Sequence, residues 1–155
     1  MTKHIILIGF KHVGKSVVGA GFADVTGLAY LDLDEAIIER FHSERNVRHT
    51  CRQIVERFGE EYFRALEHVT LADALAAPEV TIIATGGGAP MKPENQRLMQ
   101  SHRVIHLTAP KGTIYERIMM NGRPAFFPKD VDPYLTFQKI WAEREPVYQS
   151  LATHT

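Results

Sequence analysis

Residues 4–16 read HIILIGFKHVGKS, and this stretch decides the fold. It begins with a short apolar run rich in isoleucine, which is typical of a strand buried on both faces of a parallel sheet. Residues 9–16 match G-x-x-x-x-G-K-[ST], and residues 15–26 have the small and apolar composition of a packed helix. A strand, a glycine-containing loop and a helix in this order predict a phosphate-binding loop at the start of a βαβ unit.

The rest of the chain alternates in the same way. Further apolar runs are expected to form strands at residues 28–33, 80–84 and 104–108. Helical patterns lie between them and after them, at residues 34–41, 60–76, 111–120 and 132–151. The sequence therefore predicts an α/β fold, a three-layer, doubly wound parallel sheet of the P-loop kinase type with four strands and no fifth.

Composition limits what the chain can be. Its 155 residues are 45% hydrophobic, which fits one domain over residues 1–155. Eighteen basic and eighteen acidic residues cancel, so no overall field favours nucleic acid or an anionic membrane. The single cysteine, Cys51, forms no internal disulfide, and no apolar run approaches the roughly 20 residues of a membrane span. We expect a cytoplasmic protein with neither nucleic acid nor a membrane as partner.

Each part of the phosphate loop has a physical role. Glycines let the backbone curl so that successive N–H groups face a polyphosphate, and the following helix N-terminus adds positive potential. Lys15 is expected to reach the β and γ phosphates of ATP, and Ser16 to supply an oxygen to Mg²⁺. The predicted nucleotide-binding residues of the loop are Gly9, Lys11, His12, Val13, Gly14, Lys15, Ser16 and Val17.

Two acids follow the second strand, at the sheet edge where ligands of open α/β sheets bind. Asp34 either caps the next helix or binds a ligand, and the two roles are compatible. Asp32 is expected to have no capping role. It is predicted to complete the Mg²⁺ shell or to take a proton from an acceptor hydroxyl.

Two segments are expected to be loops. Residues 41–52 are polar and histidine-rich, and we interpret them as a loop leading into a helix that ends near Phe58. Residues 120–133 include three prolines and a glycine, a composition that predicts an exposed lid over about residues 118–132. The histidines of the chain match no common zinc spacing, so Mg²⁺ carried by ATP is the expected metal.

Several motifs together resemble the shikimate kinase family over nearly the whole chain. They follow the family's order: the phosphate loop, LDLD at residues 31–34, FGEEYFR at 58–64 with Glu67, GGG at 86–88, Arg123-Pro124, and REPVY at 144–148. The resemblance implies transfer of the ATP γ-phosphate to a hydroxyl of shikimate. Family members are usually monomers, so a monomer is expected.

The resemblance also implies roles for individual residues. Arg64 and Arg144 would clamp the acceptor carboxylate, which suits planar guanidinium groups. Asp34 would accept hydrogen bonds from acceptor hydroxyls, and Gly86, Gly87 and Gly88 would bring backbone N–H groups close to the acceptor. Arg123 would swing over the transferring phosphate from the lid, and Arg117 would stack on adenine. Lys15, Asp32 and Arg123 are the predicted catalytic residues, and residues 34–65 the predicted acceptor-binding segment.

Three features depart from the family pattern. His12 replaces a usual glycine. The segment between Asp34 and Gly59 is several residues longer than in the family pattern and lacks the motif G-x-x-I-x-x-I-F. The sequence stops at Thr155 without the family's last strand and helix, which predicts weaker or less selective adenine binding. The alternatives are a kinase of another small hydroxy or sugar acid such as gluconate, and a non-catalytic nucleotide-binding paralogue.

Overall fold

A computed structural model describes residues 2–124 and 127–155 of the chain. One sheet is formed by β1 (Ile5–Ile8), β2 (Ala29–Asp32), β3 (Thr81–Ala84) and β4 (Arg103–His106). All neighbouring strands are parallel, and their order in the sheet is β2-β3-β1-β4. Because β1 lies between β3 and β4, the loop that follows it opens at the middle of the sheet's carboxyl edge. The predicted parallel four-stranded α/β fold is confirmed.

Seven α-helices lie in the described part of the chain. They are α1 (Lys15–Thr26), α2 (Leu33–Arg45), α3 (Cys51–Phe58), α4 (Glu60–Leu75), α5 (Pro93–Met99), α6 (Lys111–Met120) and α7 (Pro133–Leu151). A 3₁₀ turn, Ala89–Met91, precedes α5. The helix α5 was not expected, because its seven residues are too few to show a clear helical period.

The side chains of β1 point alternately to the two faces of the sheet, and each face is covered by helices. Ile6 and Ile8 face a large core that includes residues of α2, α4, α6 and α7. Ile5 and Leu7 face the opposite side, where Ala23 of α1 packs against the sheet. Side chains on a strand point alternately to its two faces, so a continuous apolar run covers both. The helices therefore enclose the sheet, with α1 holding the phosphate loop against the end of β1.

The segment after Phe41 is mostly helical, so the predicted loop over residues 41–52 is wrong in extent. Helix α2 continues to Arg45. Asn46 caps it in the left-handed conformation, with a φ of 58° and a backbone N–H that donates to the carbonyl of His42. Thr50 starts α3 through a capping box with Gln53. The loop covers only residues 46–50. The predicted helix end near Phe58 is confirmed, since α3 ends at that residue.

The start of α2 corrects the expected roles of two acids. Asp32, and not Asp34, is the N-cap, and its Oδ1 accepts from the backbone N–H groups of Asp34 and Glu35 at 3.0 and 3.3 Å. The expectation that Asp32 has no capping role is wrong. Because Asp32 provides the cap, the Asp34 side chain is not needed for it, and it lines the cavity.

The end of the described chain returns to β4. His154 forms an isolated parallel bridge with Ile105, and the N–H of His106 donates to the carbonyl of His154 at 2.9 Å. This bridge adds no further strand to the described sheet.

The lid region follows α6. Helix α6 ends at Met120, so the predicted lid over residues 118–132 begins inside a helix, and Ala125 and Phe126 lie outside the described residues. Among the helices of residues 2–124 and 127–155, none combines the length and apolar character needed to cross a membrane.

Candidate active site

A cavity of about 540 Å³ lies at the carboxyl edge of the sheet. The phosphate loop forms one end of it, and residues of α3, α4 and α7 form the other. Parallel strands end together at this edge, so their loops converge on one cavity. Most of the predicted site residues line it, but Gly9, Val13, Asp32 and Arg123 do not.

The phosphate loop has the backbone conformation that its glycines predicted. Gly9 and Gly14 have φ values of 145° and 111°, and a Cβ on Gly9 would lie 2.4 Å from the carbonyl oxygen of Leu107. His12 has a φ of 64°, a left-handed conformation that favours glycine. His12 thus occupies a glycine-type position, as the departure from the family pattern indicated.

Lys15 lies beneath the loop and is 7% exposed. Its Nζ donates to the carbonyl oxygens of Gly9 and Phe10 at 2.6 and 2.7 Å. Burial lowers the pKa of Lys15 to about 8, and the nearby carboxylate of Asp34 opposes that shift. A buried cation held by carbonyls at this point is placed to receive a phosphate.

Ser16 and Asp32 provide the oxygen atoms expected of a magnesium site. The Ser16 hydroxyl donates to Oδ2 of Asp32 at 2.8 Å. Hydroxyl and carboxylate oxygens are hard ligands that suit Mg²⁺, which usually keeps phosphate and water oxygens as its other ligands. Groups of three or more His, Cys, Asp or Glu side chains able to hold a metal are absent from the described residues. The pair therefore fits a metal that arrives with the nucleotide.

Asp34, in the first turn of α2, lines the cavity. Burial raises the pKa of its carboxyl, the charge of Asp32 adds to the rise, and Lys15 opposes it. Its Oδ1 would lie 3.1 Å from a Cβ on Gly86. An acid in this position can accept a hydrogen bond from a hydroxyl that approaches the phosphate end.

Arg64 is held by a buried acid that was not among the predicted site residues. Its Nη1 donates to Oε1 of Glu67 at 2.8 Å, and Glu67 is 1% exposed. Burial raises the pKa of Glu67 and the charge of Arg64 opposes the rise. The sequence signal was the three-residue spacing, which puts Arg64 and Glu67 on one face of α4.

The three glycines after β3 make room for side chains. A Cβ on Gly88 would lie 2.3 to 2.7 Å from the guanidinium of Arg64, and one on Gly87 would lie 3.1 Å from Nη1 of Arg144. The glycines were expected to let a ligand approach the backbone. In the structure, Gly87 and Gly88 let the two arginines approach the backbone of this loop.

Helix α3 supplies an apolar wall of the cavity that was not recognised in the sequence. Cys51 and Val55, with Phe63 of α4, line the cavity, while Ile54 is fully buried. Cys51, Ile54 and Val55 have the spacing of the apolar residues in G-x-x-I-x-x-I-F, so smaller residues fill two of its three apolar positions. Burial raises the pKa of the Cys51 thiol, which donates to the carbonyl of Asp34 at 3.6 Å.

The predicted nucleotide side is only partly assembled. Nη1 of Arg117 donates to the carbonyl of His12 at 3.4 Å, and this arginine lines the cavity. Arg123 does not line it, because its guanidinium donates to the carbonyls of Pro128 and Lys129 at 3.1 and 2.9 Å. The structure therefore leaves Arg123 within its own loop.

A phosphate loop at one end of a cavity and paired arginines at the other accommodate two substrates, which is the arrangement of a P-loop small-molecule kinase. Comparison with known proteins narrows this class. A model of the shikimate kinase family matches residues 11–155, so the chain belongs to that family.

Relatives and solved structures agree with the family model. The shikimate kinase of Francisella tularensis subsp. novicida is 35% identical over 153 residues, which cover 97% of this chain and 82% of the relative. A bifunctional shikimate kinase/3-dehydroquinate synthase of Thermotoga maritima is 33% identical over 144 residues, 93% of this chain but 27% of that protein. The structure of shikimate kinase from Acinetobacter baumannii in complex with shikimate has a TM-score of 0.83 and 27% identity, covering all of this chain and 83% of the other.

Proposed function

We propose that the protein transfers the γ-phosphate of ATP to a hydroxyl of shikimate. The observation that carries this proposal is the shared cavity, in which Lys15 of the phosphate loop, Asp34 and the paired arginines Arg64 and Arg144 meet. Shikimate presents one carboxylate and three hydroxyls. The arginines suit the carboxylate, and Asp34 suits a hydroxyl.

The nucleotide would bind with its phosphates in the loop. Backbone N–H groups after Gly9 and the N-terminus of α1 would hold the phosphates, and Lys15 would exchange its bonds to loop carbonyls for bonds to phosphate oxygens. Ser16 and Asp32 would hold Mg²⁺, which supplies charge neutralisation when it is bound with ATP. Asp32 would bind through Oδ2, which lies beside Ser16, while its Oδ1 caps α2.

The acceptor would bind at the other end. Its carboxylate would be bound by Arg64, whose position is fixed by Glu67, and by Arg144 beside Gly87. In the transfer, the bond between the γ-phosphorus and its bridging oxygen to ADP breaks while a bond to the acceptor oxygen forms. The proton of the hydroxyl passes to Asp34, whose side chain lines the cavity.

Two more arginines would complete the site when the lid closes. Arg117 would contact the adenine end, and Arg123 would leave its loop carbonyls to neutralise charge on the transferring phosphate. The acceptor-binding segment would be residues 34–65 and the lid residues 118–132 of one domain. We further infer that the protein acts as a cytoplasmic monomer, in keeping with its one free cysteine.

The test is ADP release from MgATP by the purified protein with shikimate, gluconate or a nucleoside monophosphate as acceptor. We expect strong stimulation by shikimate alone. Stimulation by gluconate instead would assign the arginines to another hydroxy acid. ATP binding without stimulation by any acceptor would indicate a non-catalytic nucleotide-binding role.

A further inference from the structure

Lys11 is the one cation lining the described cavity whose charge has no assigned role in the proposed mechanism. The other five each have an interaction: Lys15 with loop carbonyls, Arg52 with Glu56, Arg64 with Glu67, Arg117 with His12, and Arg144 with Tyr148. Within residues 2–124 and 127–155, the ammonium of Lys11 has no hydrogen bond or ion pair. An exposed, uncommitted ammonium is available to a ligand.

Lys11 lies where the two ends of the cavity meet. A Cβ on Gly87 would lie 3.3 Å from the backbone nitrogen of Lys11 and 3.1 Å from Nη1 of Arg144, so both residues flank the same point of the glycine loop. Burial raises the pKa of Asp34 and of the Cys51 thiol, and the positive charge of Lys11 opposes the rise in both. The side chain therefore acts on groups of the acceptor end although its backbone belongs to the phosphate loop.

We infer that Lys11 binds the phosphoryl group on the acceptor side, first as it is transferred and then as the phosphate monoester of the product. This inference rests on the proposed function. The acceptor hydroxyl is neutral, whereas a phosphate monoester carries a charge of about −1.5 to −2 at pH 7. A lysine with three donors on a flexible stem therefore favours the phosphorylated acceptor over the unphosphorylated one.

Three variants separate charge from bulk. Lys11→Met removes the charge at similar size, Lys11→Arg keeps it, and Lys139→Met changes an exposed lysine of α7 that does not line the cavity. Calorimetry would give the affinities for shikimate, shikimate 3-phosphate and ADP. We expect Lys11→Met to weaken shikimate 3-phosphate binding by about 10- to 50-fold, as loss of a charge-assisted contact does, with the other two affinities changed by less than about twofold. Lys11→Arg and Lys139→Met should stay within about threefold of the wild type for all three ligands.

Two results would overturn the inference. Unchanged affinity for shikimate 3-phosphate in Lys11→Met would remove Lys11 from the transfer position. An equal loss of affinity for ADP would show that Lys11 contacts the nucleotide instead. Turnover of shikimate by the wild type, measured separately, reports on the proposed function and not on Lys11.

If the wild type fails to phosphorylate shikimate, a phosphate analogue that needs no acceptor can still test whether Lys11 binds the transferring group. Aluminium fluoride bound with MgADP occupies the position of the transferring phosphate. The only tryptophan, Trp141, stacks on Phe10 of the loop with ring centroids 4.7 Å apart, so its fluorescence can follow binding. We expect Lys11→Met to weaken fluoroaluminate capture about tenfold while MgADP binding is retained. Equal capture by wild type and variant would overturn the inference.

Discussion

The hydroxyl of Ser16 donates a 2.8 Å hydrogen bond to Oδ2 of Asp32, whose Oδ1 caps α2. One carboxylate thus joins the first turn of α1 to the first turn of α2. The helix that begins at this cap carries Asp34 on its first turn, so the position of the acceptor end depends on a residue of the nucleotide end. This link explains how Asp32 can be both the cap of α2 and the proposed magnesium ligand.

Arg64 and Glu67 should show separable effects on stability and on acceptor binding. Arg64→Met leaves Glu67 as a buried charge without its partner, so we expect the free energy of unfolding to fall by about 3 kcal/mol. Adding Glu67→Gln should restore most of that loss. The KM for shikimate should stay raised at least about tenfold in both variants, because the guanidinium is gone.

Urea unfolding and steady-state kinetics would check this pair. Recovery of acceptor KM in the double variant would show that Arg64 does not contact the acceptor. Failure of Glu67→Gln to restore stability would show that the unpaired carboxylate is not the cause of the loss.

Gly88→Ala should impair acceptor binding with little effect on the fold. The new Cβ would displace the guanidinium of Arg64, which lies at the far end of a flexible side chain. We expect the KM for shikimate to rise about tenfold or more while the KM for ATP is unchanged. Gly21→Ala is the control, since a Cβ there meets nothing within 4 Å and should add about 0.5–1 kcal/mol of stability to α1.

Most of the phosphate-loop end could be predicted from local sequence. The run from His4 to Ser16 specifies strand, loop and helix within one short window, and its glycines have few other uses. The capping role of Asp32 could not be separated from that of Asp34, because both precede the same apolar pattern. Cap geometry depends on where the strand ends, and sequence patterns place such ends within a few residues only.

The acceptor end depended on contacts between distant segments. Helix α3 was hidden because Thr50 and Gln53 form a capping box inside a polar, histidine-rich stretch with few apolar residues. The need for Gly88 was expected from the motif, but its cause is Arg64, 24 positions earlier in the chain. The unused ammonium of Lys11 is visible only when the partners of every other cavity cation are known.

His12 offers a test of backbone strain in the loop. Its φ of 64° strains any L-residue and strains a β-branched one more, so His12→Val should lower the free energy of unfolding by about 1 kcal/mol relative to histidine. His12→Gly should stay within about 0.5 kcal/mol of the wild type, because relief of strain is offset by a more flexible unfolded chain. Equal stability of the Val and Gly variants, measured by urea unfolding, would contradict the left-handed conformation.

His102 and His106 should contribute less to stability as the pH drops below about 6.5, the ordinary pKa of histidine. Burial lowers the pKa of both His102 and His106 in the folded protein. The unfolded chain therefore binds protons at a higher pH than the folded one, so the stability present above pH 6.5 is lost as the pH falls. His106→Phe keeps the ring packed near Tyr148 and should make the fall in stability between pH 7.5 and 5 less steep.

Urea unfolding at a series of pH values would measure this slope. An identical slope for His106→Phe and the wild type would show that His106 does not contribute. A slope of the opposite sign would show that the folded protein binds protons more readily than the unfolded chain.

Phosphorus NMR of the protein with MgATP and shikimate tests the central claim most directly, because it separates transfer from hydrolysis. We predict a new phosphomonoester signal that grows in equal amount with ADP, and almost no inorganic phosphate. Formation of inorganic phosphate without a phosphomonoester, or no reaction while ATP remains bound, would contradict the account.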